Sequence, residues 1–219
     1  MKFCIAGDSW GCGEWGDDDQ GNYRVLHAGL EFFLKQQHQV RNVSMGSASN
    51  NYAIGRLTHV LQHDQFDHIF WFQTDPLRDT TNLLHEENLT FDRLLEENRQ
   101  QIDRVYRVLN KLGVKIHCIG GCSKLDLELM AQYPNLIAYI PSVTEWAEPD
   151  YIHPSIWISW WEKLIVRQMP IDSLDQLVEC KKMQDRLADY KKYFWPDGKH
   201  LNRLGHQLLF DKISKDVKL

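Results

Sequence analysis

Short apolar runs that end in glycine-bearing polar turns alternate along the chain with longer stretches of helical spacing. Phe3-Cys4-Ile5-Ala6 is the first run and predicts a strand that ends at Gly7-Asp8-Ser9. From Asn22 to Gln37 the residues Val25, Leu26, Leu30, Phe33 and Leu34 recur at helical intervals, which predicts a helix. Gln39 to Ser44 predicts a second strand, closed by Met45-Gly46-Ser47, and Tyr52 to Leu61 predicts a second helix. Asp67 to Phe72 (DHIFWF) is apolar at consecutive positions, as expected of a strand covered on both faces. Phe91 to Leu112 predicts a long helix with Gly113 just past its end. Val114 to Ile119 and Leu136 to Ile140 predict two more strands, with a short helix near Leu125 to Ala131 between them. The last third predicts helices over Ile156 to Arg167, Ser173 to Tyr190 and Leu204 to Val217.

Strands alternating with helices imply an α/β fold with right-handed crossovers and helices on both faces of a parallel sheet. The expectation is a three-layer α/β/α domain over residues 1–219, built on a five-stranded parallel sheet, with a Trp-rich helical insertion around 142–190. In such sheets the functional groups gather beyond the carboxyl ends of the strands. Three of the loops expected there read GDSWG, SMGSASN and QTDPLRD.

Bulk properties narrow the function classes. The 219 residues suit one sizeable domain better than two thin-cored halves, and 43% hydrophobic with 25% charged residues is a globular composition. A net charge of -5 argues against a nucleic-acid partner, which would need a cationic surface. In KKMQDRLADYKKYFW the basic residues are mixed with acids, as on a solvated helix face. No run reaches the ~20 apolar residues of a membrane span, and MKFCIA is too short for a signal peptide, so a cytoplasmic protein is expected, or one exported without a cleaved signal. Cys4, Cys12, Cys118, Cys122 and Cys180 form an odd set without paired CxxC units, which reads as reduced thiols.

The best match to the Gly7-Asp8-Ser9 turn lies near the other end, in Phe194-Trp195-Pro196-Asp197-Gly198-Lys199-His200-Leu201-Asn202. An Asp and a His three apart in a turn can sit side by side, the carboxylate accepting from Nδ1–H and leaving Nε2 to take a proton. Taken alone, D-x-x-H arises often by chance.

GDS after the first strand, a glycine after the second, an Asp-bearing loop after the third and D-x-x-H before a final helix together resemble the SGNH (GDSL-type) hydrolases. The resemblance spans Gly7 to Leu209 and implies a flavodoxin-like α/β esterase or acylhydrolase. It implies Ser9 as nucleophile, Asp197 and His200 as its partners, and Asp8 and Asp75 as supports of their loops. It implies the N–H groups of Ser9 and Gly46 as oxyanion donors. The third block departs from the family's Gly-x-Asn-Asp: Phe72 stands for the glycine and Thr74 for the asparagine, so Thr74 or neighbouring Gln73 is expected to supply the third donor. No metal and no cofactor are implied. The expected substrate is a small-molecule, carbohydrate or lipid ester. The alternative is a non-catalytic binding or structural module that keeps the fold.

Other candidates read more plainly. His206 is expected to be an exposed helix residue. His59 and His63 have a zinc-compatible i, i+4 spacing but no third ligand, so a solvent-facing pair is expected. Asp17-Asp18-Asp19 lacks the spacing of a calcium loop and reads as a solvated acidic loop. Trp157, Trp160 and Trp161 are expected to pack in a core; a lid, a substrate platform or the subunit interface of a homo-oligomer are the alternatives.

Overall fold

The computed structural model describes residues 1–79, 90–121, 124–147, 192–194 and 200–217. In chain order the strands are β1 (Lys2–Gly7), β2 (Glu14–Asp17), β3 (Tyr23–His27), β4 (Gln39–Asn42), β5 (His68–Gln73), β6 (Ile116–Gly120) and β7 (Leu136–Ile140). The helices are α1 (Ser9–Cys12), α2 (Leu30–Lys35), α3 (Asn50–Leu61), α4 (Phe91–Lys111), α5 (Leu127–Met130), α6 (Val143–Ala147) and α7 (Arg203–Asp216).

Among the described residues five strands form one sheet in the order β4-β1-β5-β6-β7, and every pairing in it is parallel. Counting only these strands, the order is that of flavodoxin-like folds, and β1 lies at the point where the connections reverse direction. Alternation along the strands divides the core in two. Cys4 and Ala6 of β1, with Ile69 and Trp71 of β5, pack against Leu57 of α3 and Leu109 of α4. Phe3, Ile5, Phe70 and Phe72 point the other way, towards Leu34 of α2 and Leu209 of α7. The architecture is therefore three-layered, α/β/α.

Local chemistry fixes the helix ends. Ser49 caps α3 by accepting from the Tyr52 N–H at 3.3 Å, and both oxygens of the Asp79 carboxylate accept from the Asn50 and Asn51 N–H groups. Thr90 caps α4 by accepting from the Arg93 N–H, and Gly113, at φ 71°, follows its last turn.

The helix expected over Asn22 to Gln37 is half strand. Tyr23–His27 pairs antiparallel with Glu14–Asp17, and only Leu30–Lys35 is helical. Asp18 closes the hairpin, its Oδ1 accepting from the Gln20 and Asn22 N–H groups at 2.9 and 2.8 Å, with Gly21 at φ 78°. The acidic loop is thus a hairpin turn. Val25 and Leu26 supplied the apparent helical stripe, yet each is 38% exposed and does not enter the core. Gly29, at φ 54°, separates strand from helix.

His59 and His63 are both exposed, with their rings edge to face at 5.2 Å. No helix among the described residues is long and apolar enough to cross a membrane. The expected helices over 156–167 and 173–190, Trp157, Trp160, Trp161, Cys122 and Cys180 lie outside the described residues.

Candidate active site

Strand β1 delivers the Gly7-Asp8-Ser9 turn to the carboxyl edge of the sheet. Gly7 is required there: it sits at φ 138°, and a Cβ at this position would come within 2.4 Å of the Phe72 carbonyl oxygen. Asp8 then caps α1, its Oδ1 accepting from the Trp10 N–H at 3.1 Å. Ser9 is the first residue of that helix and is 7% exposed.

The other half of the site comes from the far end of the chain. His200 precedes Leu201, which bridges to Phe194, and Asn202, which caps α7 by accepting from the Gly205 N–H at 3.0 Å. The Asn202 amide also donates to the Lys192 and Phe194 carbonyls, so Leu201 and Asn202 are held from several directions. These constraints set the His200 Nε2 2.9 Å from the Ser9 Oγ, across 191 residues of sequence. Asp197 lies outside the described residues.

An aromatic wall surrounds the imidazole. Trp10, Trp15 and Tyr23 have ring centroids 5.9, 5.8 and 6.3 Å from it, and the Tyr23 hydroxyl lies 3.0 Å from Nδ1. Trp15 stacks on Tyr23 at 5.6 Å and donates its indole N–H to the Ser9 carbonyl at 2.8 Å. The indole edge lies over Gly46, where a Cβ would meet it at 2.8 Å. The hairpin that carries Trp15 and Tyr23 is tied to α7 by an Arg203–Glu14 ion pair at 3.2 Å. Neither aromatic residue was singled out from sequence, because a hairpin here was not expected.

Gly46 approaches α1, its N–H beside the Cys12 thiol, which also donates weakly to the Asp8 carbonyl at 3.5 Å. Burial pushes that thiol up to about 12, against the Gly46 N–H, so it is a protonated, weakly accepting sulfur.

The two candidates for a third oxyanion donor are turned elsewhere. The Gln73 amide accepts from the Tyr106 hydroxyl at 2.7 Å and donates to the Lys124 carbonyl at 3.0 Å, on the α4 side of the sheet. Strand alternation explains this, since Gln73 shares a face with Trp71. Thr74 is fully buried with its hydroxyl beside the Asp8 carboxylate, and the Asn50 side chain bridges its backbone N–H and carbonyl at 3.4 Å each. Asp75, also fully buried, accepts through its carbonyl from the Arg78 N–H.

The expectation for His206 is corrected: it is 1% exposed, packed so tightly under Gly29 that a Cβ there would lie 2.7 Å from its ring. The helix face was misassigned because its partner is the hairpin base at Gly13 and Gly29. Among the described residues no group of three His, Cys, Asp or Glu side chains could hold a metal ion.

No protein-family model and no curated protein matches the chain in sequence. Solved structures do match its fold. A lipase/acylhydrolase from Enterococcus faecalis is 15% identical over 100% of this chain and 95% of its own, with a TM-score of 0.43. A psychrotrophic esterase from Pseudoalteromonas sp. is 11% identical over 99% and 96%, with a TM-score of 0.45. A carbohydrate acetylesterase from Sinorhizobium meliloti is 14% identical over 98% and 99%, with a TM-score of 0.44. The likeness is one of fold.

The electrostatics of the Gly7-Asp8-Ser9 turn centre on Asp8, which is fully buried. Burial raises its carboxyl above the ordinary value, opposed first by Arg78, whose Nη1 lies 3.3 Å from Oδ2 and 3.3 Å from the Ala48 carbonyl. Arg78 thereby joins the loops after β1, β4 and β5; it stood in QTDPLRD without drawing notice. A carboxyl raised in the folded state contributes stability that is complete below the unfolded value of 3.8 and is lost as pH rises through the folded value. Asp8→Asn keeps a capping side chain without the buried charge. Thermal melts from pH 3.5 to 7.5 are therefore expected to show Asp8→Asn gaining on the wild type as pH rises, whereas Arg78→Ala loses ground over the same range. Parallel pH profiles for Asp8→Asn and wild type would refute this assignment.

Proposed function

We propose that the chain is a serine hydrolase of carboxylic esters, with Ser9 as nucleophile and His200 as general base. The observation that supports it most is the 2.9 Å separation of Ser9 Oγ and His200 Nε2 at the carboxyl end of β1. In this reading Ser9 Oγ attacks the ester carbonyl as its proton passes to Nε2. The imidazolium then protonates the departing alcohol oxygen as the carbonyl reforms. A water molecule then attacks the acyl carbon as its proton passes to the same Nε2, and the imidazolium gives that proton to Ser9 Oγ as the acyl C–O bond breaks and the acid leaves. Asp197, three residues before His200, completes the proposed triad.

The oxyanion that forms during attack is assigned to the N–H groups of Ser9, at the start of α1, and of Gly46. The Cys12 thiol beside Gly46 is a poor acceptor, which an alkoxide would displace. With Gln73 and Thr74 engaged elsewhere, two backbone donors carry the charge, and each weighs more. Gly46→Ala places a methyl group against the Trp15 indole, which is itself anchored to Ser9, so the strain falls on the site. Its kcat/KM is expected to fall by about 10²-fold, the usual consequence of disturbing one oxyanion donor, while far-UV circular dichroism stays unchanged.

The deciding experiment offers p-nitrophenyl esters of graded acyl length to the wild type and to Ser9→Ala. Hydrolysis by the wild type alone, with covalent labelling of Ser9 by a fluorophosphonate, is the expected result. The acyl series, extended to acetylated sugars and lipid esters, then identifies the ester class. Equal background rates from both proteins across the series would overturn the reading and leave a non-catalytic module of this fold.

A further inference from the structure

A neutral imidazole carries one proton, so an Nε2 that accepts from Ser9 leaves that proton on Nδ1. The orientation of the ring therefore depends on what faces Nδ1. In this structure the Tyr23 hydroxyl does, at 3.0 Å, an ordinary N–H···O distance. Tyr23 is itself located by its stack on Trp15, and Trp15 is fixed by its bond to the Ser9 carbonyl. The hairpin thus touches both members of the Ser9–His200 pair through two adjacent rings.

Resting on the hydrolase reading, we infer that Tyr23 is a positioning residue, which holds the His200 imidazole so that Nε2 faces Ser9. Its oxygen accepts the Nδ1–H bond before and after His200 takes the Ser9 proton, so the ring need not rotate during turnover. An N–H can be shared between two acceptors, so the role is compatible with a carboxylate at the same nitrogen. Tyr23 is 47% exposed, so water competes for this hydroxyl and the expected effect is moderate.

The test separates oxygen from ring. Tyr23→Phe retains the stack on Trp15 and removes only the acceptor; Tyr23→Ala removes both. Tyr23→Phe is expected to lower kcat about tenfold with KM within about twofold of wild type and no loss of thermal stability. ¹⁵N spectra of histidine-labelled protein provide a readout independent of turnover: the Nδ1–H form of His200 is expected to dominate in the wild type and to decline in Tyr23→Phe. A merely structural role would leave Tyr23→Phe at wild-type kcat and tautomer balance, with loss confined to Tyr23→Ala, and that result overturns the inference. If Ser9→Ala matches the wild type in ester hydrolysis, the hydrolase reading fails instead, and the tautomer balance alone decides whether Tyr23 positions the ring.

Discussion

Ser9→Ala is expected to lower ester turnover by at least ~10⁴-fold while leaving the protein folded, because a nucleophile and its base act as one unit. The same logic makes a sharper demand on the double variant. Once Ser9 is gone, His200 has no proton to accept from it, so Ser9→Ala/His200→Ala should be no slower than Ser9→Ala within about threefold. Additive losses would mean that the two side chains act separately, against the 2.9 Å contact between them. The structural cost of Ser9→Ala is small. The hydroxyl is nearly buried, but the His200 ring stays anchored through its other nitrogen, Nδ1, at the Tyr23 hydroxyl, and the loss of the one bond at Nε2 amounts to about 1 kcal/mol. Unchanged circular dichroism, a thermal midpoint within a few degrees and abolished fluorophosphonate labelling complete the expected result.

The features of the sequence that announced the sheet were those governed by burial. Phe3 to Ala6 and Ile69 to Phe72 are apolar at consecutive positions because helices cover both faces, and β7 was located at its observed bounds, Leu136–Ile140. Helix α4 was legible because its repeat runs for 21 residues and ends at a glycine. The hairpin was not legible. Tyr23 to His27 alternates little, faces solvent on most positions and precedes a real helix, so its few apolar residues fitted a helical period by accident. That single misreading concealed the wall around His200, since Trp15 and Tyr23 reach the imidazole only when the hairpin folds back. The Ser9–His200 pair could be anticipated from ordered blocks, whereas Arg78 and Asp79 could not. Their roles arise from a buried carboxylate and a helix start that meet them only in three dimensions.

Acid should unfold the protein through His206. Its imidazole is completely buried beneath Gly29, and burial lowers it to about 4 from 6.5, against the Gly13 backbone, which favours the charged form. A base lowered in the folded state contributes stability that is complete above its unfolded value and is lost as pH falls through the folded one. The window is therefore about pH 6.5 down to about 4, and the full loss is about 3 kcal/mol. For a chain of this size that corresponds to about 6–12 °C in thermal midpoint. Burial lowers His27, His68 and His117 as well, with the same sign, whereas Asp8 acts in the opposite direction. His206→Gln, which cannot charge, isolates the contribution: its melting profile should lose less than the wild type between pH 7 and pH 4. Parallel profiles would show that acid acts elsewhere. The location of His206 also predicts an order of events. It packs at Gly13 and Gly29, the two positive-φ residues flanking the hairpin, so a charged ring demands water at the base of that hairpin. Trp15 and Tyr23 should then leave His200 before the sheet opens, and tryptophan fluorescence should change at higher pH than far-UV circular dichroism. Coincident transitions would place the hairpin in the same cooperative unit as the sheet.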